Sequence, residues 1–155
     1  MRLLSVLTAV ALALCGAAAG AFTQSDQRPP GAVVEIQGVV PWKTLEAVEE
    51  ITVGEDVKPR FHAEIKALDG QKVRLQGFML PLEQTEKQSH FLLSAYPPHC
   101  SFCLPGGPNT MVEVRSTKPV NFTFEPIVLS GRFALMEGDA SGLFYRLDGA
   151  AVVPR

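Results

Sequence analysis

From Phe61 onward the chain is a close succession of short runs in which apolar and polar residues alternate, separated by turn signals. Such a pattern restricts the fold to a small barrel or a sandwich, because each run has one face to bury and little length to bury it with. Asp69-Gly70 is a turn, and Lys72 to Leu80 then alternates as a strand, with Val73, Leu75 and Met79 on one side and Arg74, Gln76 and Phe78 on the other. Pro81 ends it. Gln88 to Ala95 reads as a second strand, Thr110 to Arg115 as a third, Val120 to Leu135 as one long or two short strands, and Gly142 to Leu147 as the last before Asp148-Gly149. Gly77 and Gly131 interrupt their strands, and interior glycines mark the sharp bends that a small closed sheet needs. The expected architecture is mostly β: a closed or partly open OB-like barrel of five to six strands with a short N-terminal helix.

The residues before the barrel divide into three parts. Met1-Arg2, an apolar run from Leu3 to Leu14, and small residues up to Ala21 have the three-part layout of a secretory signal. The run is shorter than the ~20 residues that cross a bilayer. Cleavage near Ala21 is expected, giving a periplasmic product with no membrane span in the mature chain. A lipid anchor on Cys15 is not expected, because Leu14 occupies the place where a small residue must stand. Residues 22–32 read as a leader punctuated by Pro29-Pro30-Gly31, and residues 33–155 as a single domain. Within it, Val33 to Val40 alternates as a short strand, and Pro41-Trp42 opens a helix whose inner face carries Leu45, Val48 and Ile51. Trp42 is most simply an anchor that packs this arm onto the barrel. Thr52 to Pro59 is acidic and irregular.

Charge excludes some functions. Loss of residues 1–21 removes Arg2 from the 14 basic residues and none of the 16 acidic ones, so the mature chain is slightly acidic. It has no electrostatic reason to bind nucleic acid or an anionic membrane. No Ser-His-Asp set, phosphate loop or paired carboxylates stand out, so hydrolysis has no positive support.

Chemistry concentrates in one loop, Tyr96-Pro97-Pro98-His99-Cys100-Ser101-Phe102-Cys103-Leu104-Pro105-Gly106-Gly107-Pro108. Prolines stiffen both sides, and two thiolates three residues apart can grip one soft cation from a single turn. The candidate ligands for zinc or copper are Cys100 and Cys103, with His99 or His90 as nitrogen donors. His62 is a further histidine, whereas Met79 and Met111 read as core filling. Two rival uses of the thiols stay open: a loop disulfide, which at this spacing adds little stability, and a redox dithiol, although Leu104 to Pro108 cannot continue as the helix that usually activates one. Covalent haem does not fit, since His99 precedes the first cysteine instead of following the second.

The run Leu68-Asp69-Gly70, Val73 to Leu82, His90-Phe91-Leu92-Leu93, and Cys100-x-x-Cys103-Leu104-Pro105-Gly106-Gly107-Pro108 resembles the DUF3299 family, exported bacterial proteins with a domain of unknown function. The similarity runs from about Trp42 to the last strand. The resemblance implies a signal peptide or lipoprotein anchor before one small domain. For some members it also implies a setting beside ATP-binding-cassette transporter components linked to zinc homeostasis, and hence a periplasmic or transporter protein partner. The expectation is a metal-binding accessory protein. A thiol–disulfide component and an adaptor domain with a loop disulfide are the alternatives.

Overall fold

The computed structural model describes residues 33, 36–54, 56–98, 104–138 and 140–154. Its elements are helix α1 (Trp42–Glu46), a hairpin of β1 (Glu49–Val53) and β2 (Asp56–Arg60), helix α2 (Ala63–Lys66), and five barrel strands. These are β3 (Lys72–Pro81), β4 (Lys87–Ser94), β5 (Met111–Asn121), β6 (Ile127–Leu135) and β7 (Tyr145–Val152). The barrel closes in the order β3-β4-β5-β7-β6. Every pairing around it is antiparallel except that of β5 with β7. This is the expected small OB-like barrel.

Closure depends on β3 serving two neighbours. Its first half pairs with β6, ending at Gly77 opposite Ile127, and its second half pairs with β4, beginning at Phe78 opposite Ser94. A Cβ on Gly77 would lie 2.6 Å from the Ser94 carbonyl oxygen and 2.7 Å from Leu93 Cγ, so only glycine lets the strands approach at the handover. Gly131 does the same where β6 shifts register against β7, its Cβ position being 2.8 Å from Leu147 Cγ. Both bends expected from the sequence therefore sit at corners of the barrel.

Inside, Val73, Leu75, Met79, Phe91, Leu93, Val112, Val114, Leu129 and Leu147 are buried, as alternation requires. Tyr145 lies among Phe61, Phe133 and Phe144, with ring centroids 5.8, 5.5 and 6.2 Å away. Leu45 of α1 and Ile65 of α2 are sealed into the same core. Burial of each such side chain stabilises the fold by about 1.5–3 kcal/mol. Helix α1, too short to be stable alone, is pinned by two buried bonds: Trp42 Nε1–H donates to the Gln76 carbonyl (2.7 Å) and Tyr145 O–H to that of Leu45 (2.7 Å). Trp42 is the anchor its position suggested.

Four local readings are corrected. Helix α1 stops at Glu46, so Leu45 and Val48 are buried but Ile51 belongs to β1 and not to a helical face. The stretch read as irregular is the β1–β2 hairpin, turning at Gly54 with φ +67°. Its described side chains are largely exposed, so no apolar face marked them in the sequence. The described part of 33–40 is a turn at Gln37-Gly38 and not a strand, with one sheet-like bond from Val40 N–H to the Arg74 carbonyl (2.9 Å). Last, β7 begins later than expected and runs through Asp148-Gly149, where Gly149 at φ +60° accommodates a register shift instead of a chain-reversing turn. No described helix is long and apolar enough to cross a membrane.

Candidate functional site

His99, Cys100 and Cys103 lie outside the described residues; the two stretches of chain that lead into and out of their loop do not. On the incoming side, Ala95 N–H donates to the Thr110 carbonyl (3.1 Å), which carries the β4–β5 pairing one residue past the strand end. Tyr96 N–H then donates to Ser94 Oγ (3.1 Å), and the Tyr96 hydroxyl to Glu46 Oε1 (2.8 Å). On the outgoing side, Pro108 opens a 3-10 turn over Pro108–Thr110. Both the backbone N–H and the hydroxyl of Thr110 donate to the Gly107 carbonyl, at 2.9 and 2.7 Å. Asn109 Nδ2–H reaches the Glu46 carbonyl (3.4 Å).

Glu46 thus binds both feet of the loop, its carboxylate holding one and its backbone carbonyl the other. It stands on α1, which the Trp42 and Tyr145 bonds fasten to the barrel. The chain of support runs from barrel to helix to loop. Gly106 is required by close approach, since a Cβ there would collide with Thr110 Oγ1. The Pro-Gly-Gly-Pro tail of the cysteine loop is therefore a folded foot and not a flexible spacer.

His90 stands on the outer wall of the barrel. Its Nε2 is 2.7 Å from Glu113 Oε1, and the same oxygen accepts from Arg115 Nε (3.3 Å) and Nη2 (3.1 Å). The carboxylate is nearly buried, at 8% side-chain exposure, while His90 and Arg115 are about half exposed. Burial of a carboxylate is tolerated because two donors converge on it. His90 lies four residues before the end of β4, roughly 13 Å along the strand from where the cysteine loop departs. Its nearest described partner is Glu113. His62 is exposed and occupies the N-cap position of α2. Met79 fills the core, and Met111 joins Leu80 and Leu92 in a small buried cluster on which Leu143 packs. Among the described residues no group of three or more histidines, cysteines and carboxylates is gathered as for a metal ion.

Glu46, Tyr96, Glu113 and Arg115 did not emerge from sequence reasoning. For Glu113 and Arg115 a signal existed: they alternate with Val112 and Val114, so they must share the outer face. That Glu113 meets His90 depends on strand register, in which His90 stands opposite Arg115 and Leu92 opposite Glu113. For Glu46, 50 residues from Tyr96 and 63 from Asn109, no local signal exists.

A search of the curated proteins finds no match. Among solved structures, a DUF3299 family protein from Pseudomonas aeruginosa PAO1 is similar, with 26% identity and a TM-score of 0.50, over 63% of this chain and 68% of that one. Residues 33–153 match the family described as Protein of unknown function (DUF3299), and the chain belongs to that family.

Proposed function

We propose that this protein is an exported, periplasmic metal-binding accessory protein that holds a soft cation, zinc or copper, on the loop His99-Cys100-Ser101-Phe102-Cys103. Cys100 and Cys103 are the thiolate ligands in this reading and His99 the adjacent nitrogen donor. Two sulfurs and an imidazole make a donor set suited to either ion. His90 is the second nitrogen candidate. It would coordinate through Nδ1, or give up its bond to Glu113 to offer Nε2. A metal held by so few protein ligands exchanges readily, which suits handing it to a periplasmic or transporter partner.

The observation that supports this reading is the two-sided anchoring of the loop by Glu46. A segment whose ends are tied to a buried helix loses little further entropy when its side chains converge on an ion. The experiment compares metal content and free thiols of full-length protein, prepared without reductant, with those of a Cys100→Ser, Cys103→Ser double variant. About one equivalent of zinc or copper in the parent, lost in the variant, is expected. Equal metal content in both defeats the proposal. Absence of free thiols together with a mixed disulfide trapped in the Cys103→Ser single variant would assign the loop to thiol exchange instead.

A further inference from the structure

We propose a second binding site, separate from the cysteine loop, in the cavity between the 36–42 segment and β3, and assign it to a small neutral molecule bearing an amide edge on an apolar body. The cavity is about 380 Å³, within the roughly 300–1,000 Å³ range of small-molecule sites. Its walls include the apolar Ile36, Val39, Val40, Pro41 and Trp42 and, at the exposed rim, Gln37, and its floor is Gln76 on the outward side of β3.

Gln76 carries the argument. The residue is only 5% exposed, yet its one hydrogen bond outside the sheet ladder is that of its backbone carbonyl with Trp42, and its carboxamide has no partner among the described residues. The only described side-chain atom both sealed and unpartnered is Arg74 Nε. The Gln76 carboxamide, unpartnered but not sealed, therefore opens onto the cavity it lines. In a residue so nearly covered, that carboxamide is left to find its hydrogen-bond partner in whatever fills the cavity.

The chemistry of the ligand follows from that of the site. A carboxamide offers N–H donors and a carbonyl acceptor side by side. A second amide satisfies both at once, whereas a carboxylate answers only the donors and an ammonium only the acceptor. None of the described lining residues carries a charged side chain, so none of them compensates an ionised ligand. The flat Trp42 indole and the aliphatic side chains provide the apolar remainder.

Trp42 is the only tryptophan of the chain, so tryptophan fluorescence reports on the wall of this cavity. The test titrates the full chain with benzamide and, in parallel, with toluene, which keeps the ring and lacks the amide. A saturable fluorescence change is expected, with benzamide about tenfold tighter than toluene, within the net range of a pair of neutral hydrogen bonds. In Gln76→Leu that preference vanishes, while the melting temperature holds, because the carboxamide has no partner among the described residues to lose. Gln76→Met, of closer shape, repeats the comparison should the leucine variant fail to fold. No saturable response in the parent protein, or a benzamide preference undiminished in the substituted protein, overturns the assignment.

Discussion

Strand β4 is flanked by two loops whose described parts are fastened in opposite ways. The loop before it, residues 82–86, is fastened by a residue of β4 itself. Gln88, fully buried, donates through Nε2 to the carbonyls of Glu83 (2.9 Å) and Thr85 (2.7 Å) and accepts at Oε1 from Glu83 N–H (3.4 Å). The loop after it, which carries the two cysteines, is fastened by Glu46, far away in the sequence. The first is fastened mainly by its own neighbour in sequence, with one distant bond, from Phe122 N–H to the Glu86 carbonyl (2.8 Å). The bonds of Glu46 to Tyr96 and Asn109 exist only once α1 has docked, so they are conditional on tertiary structure. A loop tied in this manner can be loosened from a distance without unfolding the barrel.

Four substitutions probe that contrast. Gln88→Ala should have the largest effect, about 3 kcal/mol in urea denaturation, because it empties a fully buried side-chain site and removes every bond that side chain makes to the loop. Hydrogen exchange at Ala95 and Thr110 should still show protection, since the other loop does not depend on it. Glu46→Ala should cost less, about 1–2 kcal/mol, but should strip protection from those two amides; unchanged exchange there would show that the feet stand without Glu46.

Tyr145→Phe should cost about 1 kcal/mol by removing the bond to Leu45 that pins α1. It also alters the response to base. Burial pushes the Tyr145 phenol above its ordinary value of 10.0, so the folded state keeps its proton at a pH where the unfolded chain releases it. The stabilisation it provides is therefore complete below about pH 10 and is lost as pH rises past that value. Denaturation curves of the phenylalanine variant should lack this alkaline component. The smallest change is expected of Glu46→Gln, which keeps an acceptor for the Tyr96 hydroxyl: within about 0.5 kcal/mol of the parent, with both feet protected.

Legibility followed the balance between local and distant causes. Strands β3 and β4 could be read because each has one face in the core, which stamps a two-residue period on the sequence. Gly77 and Gly131 were informative because close approach of two backbones excludes a side chain. The β1–β2 hairpin escaped because it buries too little to leave such a period. Asp148-Gly149 looked like a chain reversal, since a left-handed glycine serves a turn and a bulge equally well. At the site, the spacing of Cys100 and Cys103 and the stiff residues around them were plain. The pairing of His90 with Glu113 was not, because it is set by the register between two strands.

What the amino-acid order determined unaided is the β class, the corners of the barrel, the tryptophan that anchors α1, and the single loop in which thiols and imidazole are neighbours. All of these arise from the covalent chain and from solvent sorting its faces, forces that act within a few residues. Tertiary structure alone decided that Glu46 would hold both feet of that loop, that Glu113 would face His90, and that the Gln76 carboxamide would lie against a cavity with no partner among the described residues. Each of these requires parts of the molecule far apart in sequence to meet, and their meeting is fixed by packing of the whole core.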